Sequence, residues 1–521
     1  MMDKFFWVIT LIVFLLAPSS GKTGQIWGAV CWQQQTSLDR GAAELAELAT
    51  RAQDAADYRL AIERWEKLIA EYPDVPFIGK AHHFLGLCWI ELRRFELANP
   101  QFEQAIRKSP ATDATWLPQA YLYLGYTQFQ RGIASLSDPD PAIQKEANIW
   151  LTTSTETFTD LINRFPEFED VDQARFFQAT AYRNLDRLDE AIGALEKMLK
   201  YPAPQFKLPG LLLAGQIKDQ QGLPERAIEY YDLFREEVGE AGHPRLVEVE
   251  LSHGKALMTR ASQQLKEGLA ADAIASYRAA EARLADLERA NSGGAAEVEA
   301  VVTEARYQRA FCLANLNRKS EAAALFAAVG TQVVSPFRLE SLLNSGRLYQ
   351  ELGELDQAIS ILRGAANLET PAAAEGAVLL ASAFLANGQA ELAYQTADQW
   401  IAQKPPTRTL PFLMNYRAEA AYKIDSLRAQ SPDLFLQVAD QFPSHSLAAP
   451  ALYNAAFGLF QLNQHPQAVA LVDRLNASYP DSELLAEALE IKADCLLLTD
   501  ESAAEALFAD LIQRFPQHKN L

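Results

Sequence analysis

An alanine returns along the chain at Ala61, Ala98, Ala191, Ala227, Ala273, Ala322, Ala358, Ala393, Ala468 and Ala504, and a serine takes the same place at Ser154 and Ser431. Twelve residues earlier, in the regular units, stands a second small residue: Ala49, Gly86, Ala179, Gly215, Ala261, Ala310, Gly346, Ala381 and Ala456. Gly125 fills that place in a lengthened unit, and Glu419 and Lys492 are exceptions. Two antiparallel helices joined by a short turn approach closely only where neither projects a bulky side chain, so the paired small residues read as the contact within a helical hairpin. One helical turn beyond the alanine come large residues, among them Trp65, Phe102, Phe158, Leu195, Tyr231, Tyr277, Phe326, Leu362, Val472 and Phe508. These fill the space between hairpins, each contributing roughly 1.5–3 kcal/mol if fully buried.

A second periodicity agrees with the first. The phrases LIAEYPD (68–74), LINRFPE (161–167), VADQFPS (438–444), LNASYPD (475–481) and LIQRFPQ (511–517) each put an aromatic residue before proline. Pro73 to Pro110 spans 37 residues, Pro166 to Pro202 36, Pro443 to Pro480 37 and Pro480 to Pro516 36. Spacing this even indicates an array of one supersecondary unit. Proline lacks an N–H and clashes with the preceding turn, so each phrase reads as the stop of a unit's second helix. The neighbours Glu71, Arg164, Gln441, Ser478 and Arg514 share no chemistry, which argues against a copied catalytic site.

The unit is clearest in AHHFLGLCWIELRRFELANPQFEQAIRKSP (81–110), where Leu85-Gly86, Trp89, Ala98, Phe102, Ala105 and Pro110 stand at the offsets of the tetratricopeptide pattern. The chain resembles the tetratricopeptide repeat family over nearly its whole length after the first residues. That resemblance implies an all-α fold, a right-handed α-solenoid of about twelve hairpins. It also implies that one stripe of each first helix, at unit positions 2, 5, 9 and 12, lines an inner groove. In this register the groove includes Leu122, Tyr126, Phe129, Phe176, Arg183, Tyr307, Phe311, Tyr416, Lys423, Tyr453, Phe457 and Phe460. Aromatic and basic groups of this kind suit protein or peptide segments. The carboxylate clamp that some family members use for chaperone tails needs Lys and Asn at positions 5 and 9; His83 and Leu87 stand there instead.

Regularity breaks in three places, around residues 130–150, 236–250 and 283–300. The first predicts a loop, a helix start at Asp140-Pro141 and a lengthened second helix; the second is a Gly/Pro loop; the third predicts two long helices meeting near Gly293-Gly294. Ahead of the array, residues 1–21 carry one lysine, an apolar core from Phe5 to Ala17 and small residues, the pattern of a secretory signal. An uncleaved anchor is the alternative. Residues 22–38 read as a tether, and 39–521 as the repeat array.

The 521-residue chain has a net charge of −20, which argues against nucleic acid, whose phosphates require a concentrated basic surface. The cysteines, Cys31, Cys88, Cys312 and Cys495, share no metal-ligand spacing, and the last three fall on apolar helix faces as buried thiols. His82-His83 is the one adjacent histidine pair, pointing about 100° apart on a helix. No phosphate loop, nucleophile elbow or metal motif appears, so no catalytic, cofactor or metal residue is expected. The sequence therefore points to a non-catalytic scaffold. The aromatic-proline unit is similar to bacterial envelope proteins that accompany the Tol-Pal system and outer-membrane barrel assembly, which implies export, a periplasmic location and envelope partners. Membrane association would come only through an uncleaved signal or a partner. Two other readings stay open: the recruitment or sensor part of a longer enzyme, and a structural component self-assembling through its terminal repeats.

Overall fold

A computed structural model describes residues 37–109, 115–201, 203–239, 242–291, 293 and 295–517. Residues 1–36, read above as a signal and most of a tether and including Cys31, and also Pro110, Pro202 and Gly294, lie outside the described residues. The chain divides into two compact units, residues 1–240 and 241–521.

Five hairpins make the first unit: α1 (Ser37–Asp54) with α2 (Tyr58–Glu71), α3 (Ile78–Glu91) with α4 (Phe95–Arg107), α5 (Leu117–Leu136) with α6 (Pro141–Arg164), α7 (Val171–Asn184) with α8 (Leu188–Met198), and α9 (Lys207–Gln220) with α10 (Pro224–Val238). Seven make the second: α11 (Leu246–Lys266) with α12 (Ala270–Asn291), α13 (Ala296–Asn315) with α14 (Lys319–Gly330), α15 (Arg338–Glu351) with α16 (Leu355–Ala366), α17 (Ala374–Ala386) with α18 (Ala390–Ala402), α19 (Leu410–Lys423) with α20 (Ser431–Gln441), α21 (Ala448–Gln461) with α22 (His465–Ser478), and α23 (Leu485–Leu497) with α24 (Glu501–Arg514). Short 3-10 turns occupy Pro371–Ala373 and Arg428–Gln430. The fold is all-α, and the described residues contain no strand.

The register of small residues is a register of burial. All ten recurring alanines, together with Ser154 and Ser431, are fully buried. Where serine replaces alanine, the hydroxyl stays bonded: Ser154 Oγ donates to the Gly125 carbonyl of the facing helix at 2.8 Å. The glycines identify the partner of the first small position. A Cβ added at Gly86 would stand 2.7 Å from Phe102, and one at Gly125 2.6 Å from Phe158; Gly215 meets Tyr231 and Gly346 meets Leu362 in the same way. The first helix thus stays small where the large residue of the second, one turn past the alanine, lies across it. Phe102, Phe158, Tyr231 and Leu362 are fully buried there.

The aromatic-proline phrases end helices as expected. Tyr72, Phe165, Phe442, Tyr479 and Phe515 each cap a second helix, with the N–H bonded to the carbonyl four residues back. A further marker stands in the turn of nine of the twelve hairpins. Ala56, Arg93, Asp186, Gly222, Gly268, Asn317, Gly353, Gly388 and Asn463 all have φ between 55° and 80°. Each follows the small first-helix residue by seven, so one left-handed residue reverses the chain. The hairpins α5/α6, α19/α20 and α23/α24 have no such residue and are the irregular ones. In the first of these Asp140 caps the 24-residue helix α6 by accepting from the Ala142 N–H, with Pro141 at the first helical position.

Lengthened helices α11, α12 and α13 in the second unit are joined by ion pairs. Arg283 meets Glu250 at 2.7 Å, Lys255 meets Glu304 at 2.8 Å, Arg306 meets Glu288 and Glu299 at 2.8 Å, and Arg309 bridges Glu281 and Glu288 at 2.9 and 3.0 Å. Most of these side chains are well covered, so solvent screens the network less than an isolated surface pair.

Cys88, Cys312 and Cys495 are buried free thiols, and burial pushes Cys88 and Cys312 up to about 12. His82 Nδ1 pairs with Gln101 Oε1 at 2.8 Å. His83 is 1% exposed among Phe84, Phe102, Trp116 and Tyr123, with no hydrogen-bond partner at Nδ1.

Ala98→Leu and Gly125→Leu are each expected to lower stability by about 1–3 kcal/mol through overpacking. Gly193→Ala in α8, where an added Cβ meets nothing within 4 Å, should be neutral or stabilising by up to about 1 kcal/mol. Urea midpoints of the three variants check this. Desolvation, with a smaller contribution from the Lys80 charge, lowers His83 from 6.5 to about 3. The folded protein therefore holds this ring neutral while the unfolded chain takes up a proton. The associated stability is complete above pH 6.5 and drains away as pH falls from 6.5 towards 3, at up to about 1.4 kcal/mol per pH unit. Between pH 7 and 5 the unmodified protein should lose about 2 kcal/mol more than His83→Phe, measured by urea unfolding at both pH values.

Candidate partner-binding site

Successive first helices pack on one another as well as on their own second helices: α3 on α5, α5 on α7 and α7 on α9 in the first unit, α11 on α13, α15 on α17, α17 on α19 and α21 on α23 in the second. No contact of that extent joins successive second helices among the described residues. Each stack is therefore tighter along its first helices, which makes that side the inner face of each unit. Residues at positions 5, 9 and 12 of a first helix fall on one stripe of it.

In the first unit most of this stripe is already packed. Leu122, Phe129 and Phe176 are buried, with Phe129 5.7 Å from the Phe177 ring and Phe176 stacked on Phe206 at 5.1 Å. Tyr126 is half-buried between Phe177 and Phe95. Arg183, also half-buried, donates from Nη1 to Gln216 Oε1 on α9 at 3.0 Å.

In the second unit Tyr307 is buried and stacks on Phe337 at 4.5 Å; burial first, and then a bond to Glu340, raise its hydroxyl pKa. Phe311 is half-buried, edge-on to Phe326 at 4.9 Å. Tyr453, Phe457 and Phe460 of α21 are all half-buried, with Tyr453 and Phe457 nearly parallel, 6.4 Å apart. Phe460 turns its ring edge-on to His465.

Helices α19 and α23 carry the two exceptions to the small-residue rule, and the core resolves both. Among the fully buried alanines of α19 (Ala418, Ala420 and Ala421), Ala418 stands four residues after Met414, and among those of α23 (Ala488 and Ala493), Ala493 stands four after Leu489. Leu452 and Ala456 of α21 keep the same spacing. Positions 5, 9 and 12 are then Asn415, Glu419 and Tyr422 in α19, and Glu490, Asp494 and Leu497 in α23. The Tyr422 ring lies 6.2 Å from Phe457, joining α19 to α21 along this stripe. Half-buried Tyr416 and exposed Lys423 stand one place further along α19.

Sequence spacing alone does not place Asn415, Glu419, Tyr422, Glu490 and Asp494 on this stripe. Its ruler of twelve residues assumed a uniform turn, whereas the 3-10 turn Arg428–Gln430 lengthens one hairpin and the α23/α24 turn is short.

Among the described residues no group of three or more His, Cys, Asp or Glu is placed to hold a metal ion, and no helix is long and apolar enough to cross a membrane.

The chain is similar in structure to the C-terminal part of a TPR repeat-containing protein from Cytophaga hutchinsonii, at 18% identity and a TM-score of 0.42, covering 58% of this chain and 98% of that one. A tetratricopeptide repeat protein from Parabacteroides merdae matches at 15% identity and 0.36, covering 59% and 98%. A thermophilic TPR protein from Thermus thermophilus matches at 14% and 0.28, covering 42% and 98%. No curated protein matches the chain. The tetratricopeptide repeat pattern itself matches residues 46–114 and 343–406, one stretch in each unit. With hairpins of the same design before and after those stretches, the chain has the tetratricopeptide repeat fold.

Proposed function

We propose that the protein is a non-catalytic scaffold that holds segments of partner proteins along the inner, first-helix face of its hairpin stacks. The observation that carries this reading is the run of half-buried aromatic side chains Tyr453, Phe457 and Phe460 on α21, continued by Tyr422 on α19. Large rings that keep part of their surface in water, on a face built from packed helices, offer contact area at low entropy cost. Phe311 and Tyr126 offer smaller areas of the same kind further back in each unit.

The partners we propose are bacterial envelope proteins met after export. The signal-like residues 1–21 and the aromatic-proline unit support this. Self-assembly through terminal repeats is the second reading, favoured by the exposed Leu497, Leu498 and Ile512 of the last hairpin. Light scattering over a range of concentrations separates the two, since a constant monomer mass removes self-assembly.

Expressed with its own N-terminus in a bacterial host, the protein should be recovered from the periplasmic fraction with its first residue near Gly21, as read by N-terminal sequencing. Recovery of an uncleaved cytoplasmic chain would contradict export. Affinity capture from the envelope fraction should recover a specific protein, and Phe457→Ala with Phe460→Ala should weaken that capture while leaving the helical signal and the urea midpoint close to those of the unmodified chain. Undiminished capture by the double variant would remove the aromatic face from the function.

A further inference from the structure

Several neighbouring hairpin turns are tied to one another at the edge of the stack. Gln221, the residue before left-handed Gly222, donates from Nε2 to Asp189 Oδ1 in the first turn of α8 at 2.9 Å. Asn387, before left-handed Gly388, donates from Nδ2 to Asp356 Oδ1 in the first turn of α16 at 3.1 Å. Lys319 Nζ of α14 donates to Glu351 Oε2 of α15 at 2.9 Å. Where α12 meets the α13/α14 turn, the two places that hold the acid and the amide elsewhere are taken by Ala271 and Leu316, so the amide–carboxylate tie cannot form.

A half-open cavity of about 380 Å³ lies at that junction, lined by Ile274 and Arg278 of α12 and by Asn315, Leu316, Asn317 and Arg318 of the turn. Ligand-holding clefts run from about 300 to 1,000 Å³, so this one has room for an anchoring side chain and the group beside it. Ile274 is 40% exposed and Leu316 half-buried, which gives the cavity an apolar side. Its two arginines differ. Arg318 is neutralised, with Nε and Nη2 each donating to Glu321 at 2.6 Å. Arg278 is exposed and stands four residues from Ile274 on the same stripe of α12; among the described residues it makes no ion pair or hydrogen bond. Glu281, one turn further on, is held by Arg309 at 2.9 Å and lies 3.8 Å from Arg318. Asp272 stands about 120° round the helix from Arg278.

A guanidinium beside an apolar wall matches a single carboxylate, which its planar fork binds through two parallel hydrogen bonds. A phosphate carries up to about twice that charge and would stay partly unmatched. The apolar surface also continues past the cavity: Leu265 and Leu269 around the α11/α12 turn and Leu352 in the α15/α16 turn are each more than a third exposed. A small acid would use the cavity alone, whereas a peptide uses the cavity and the edge around it.

We propose that this edge of the second unit is a further docking surface, distinct from the inner first-helix face, and that it takes an acidic–aliphatic peptide segment. One aliphatic side chain enters the cavity against Ile274 and Leu316, and a neighbouring Asp or Glu carboxylate pairs with Arg278. The surface uses none of Tyr453, Phe457 and Phe460, so it goes beyond the scaffold reading above and stands or falls apart from it.

The test is fluorescence anisotropy with the full chain and fluorescein-labelled twelve-residue Gly/Ser peptides whose centre reads Leu-Asp-Leu-Asp, Leu-Asn-Leu-Asn, Leu-Lys-Leu-Lys or Ser-Asp-Ser-Asp. The Leu-Asp peptide should bind at least about tenfold more tightly than each of the other three. The net charge of −20 by itself favours the lysine peptide, so general attraction cannot produce this order. Arg278→Glu should weaken the Leu-Asp peptide at least about tenfold and strengthen the Leu-Lys peptide, a reversal that an unfolded variant would not show. Ile274→Ser should weaken the Leu-Asp peptide about fivefold. Arg514→Glu on α24, several hairpins further along the same unit, should change it less than about twofold. Urea midpoints confirm that each variant is folded. No binding of the Leu-Asp peptide, equal binding of the Leu-Lys or Ser-Asp peptide, or equal weakening by Arg278→Glu and Arg514→Glu would overturn the proposal. Binding that Phe457→Ala with Phe460→Ala abolishes and Arg278→Glu leaves unchanged would also overturn it, and would place the peptide on the inner face.

Discussion

The seating of one large side chain on one small residue, glycine or alanine, sets the geometry of every regular hairpin. Gly86 under Phe102, Gly125 under Phe158 and Gly346 under Leu362 let two helices close to a distance that a Cβ on the first would forbid. Packing at this density leaves little room to slide, so the small position fixes the register of the two helices along each other. The alanine one turn earlier plays the complementary part, and it is fully buried at each of its ten occurrences. Once the register within a hairpin is set, the first helices of neighbouring hairpins meet along a constant stripe, and the side chains of positions 5, 9 and 12 fall on the inner face.

Much of this was written in the residue spacing. The alanines, the small residues twelve before them and the aromatic-proline stops fixed the number of helices, their pairing and their ends, because each reports a local steric demand that a single residue type satisfies. The inner face was legible less evenly. Position 5 reads as groove-lining on a helical wheel, yet Leu122, Phe176 and Tyr307 are buried there by the next hairpin, whose approach no single helix can announce. In α19 a uniform ruler placed Tyr416 and Lys423 on the stripe, where the Met414 and Ala418 core places Asn415, Glu419 and Tyr422. The difference is one residue of turn length, and on a helix one residue is about 100° of rotation.

Departures from the repeat are stabilised by different means. Hairpin α5/α6 gains a proline-started helix capped by Asp140, and helices α11 to α13 gain an interhelical network of arginine and glutamate. Where length grows beyond the reach of the small-residue contact, directional polar contacts take over its role of setting register.

The dependence of the fold on these seated side chains is tested most directly by a double-mutant cycle at Gly86 and Phe102, read from urea unfolding. Gly86→Leu and Phe102→Ala should each destabilise the protein, the first by collision and the second by leaving a cavity. Combined, they conserve the total volume at the contact and should recover at least about 1 kcal/mol of the summed loss. Strictly additive losses would show that the two residues do not share one contact, and would contradict the account of how the hairpins hold their register.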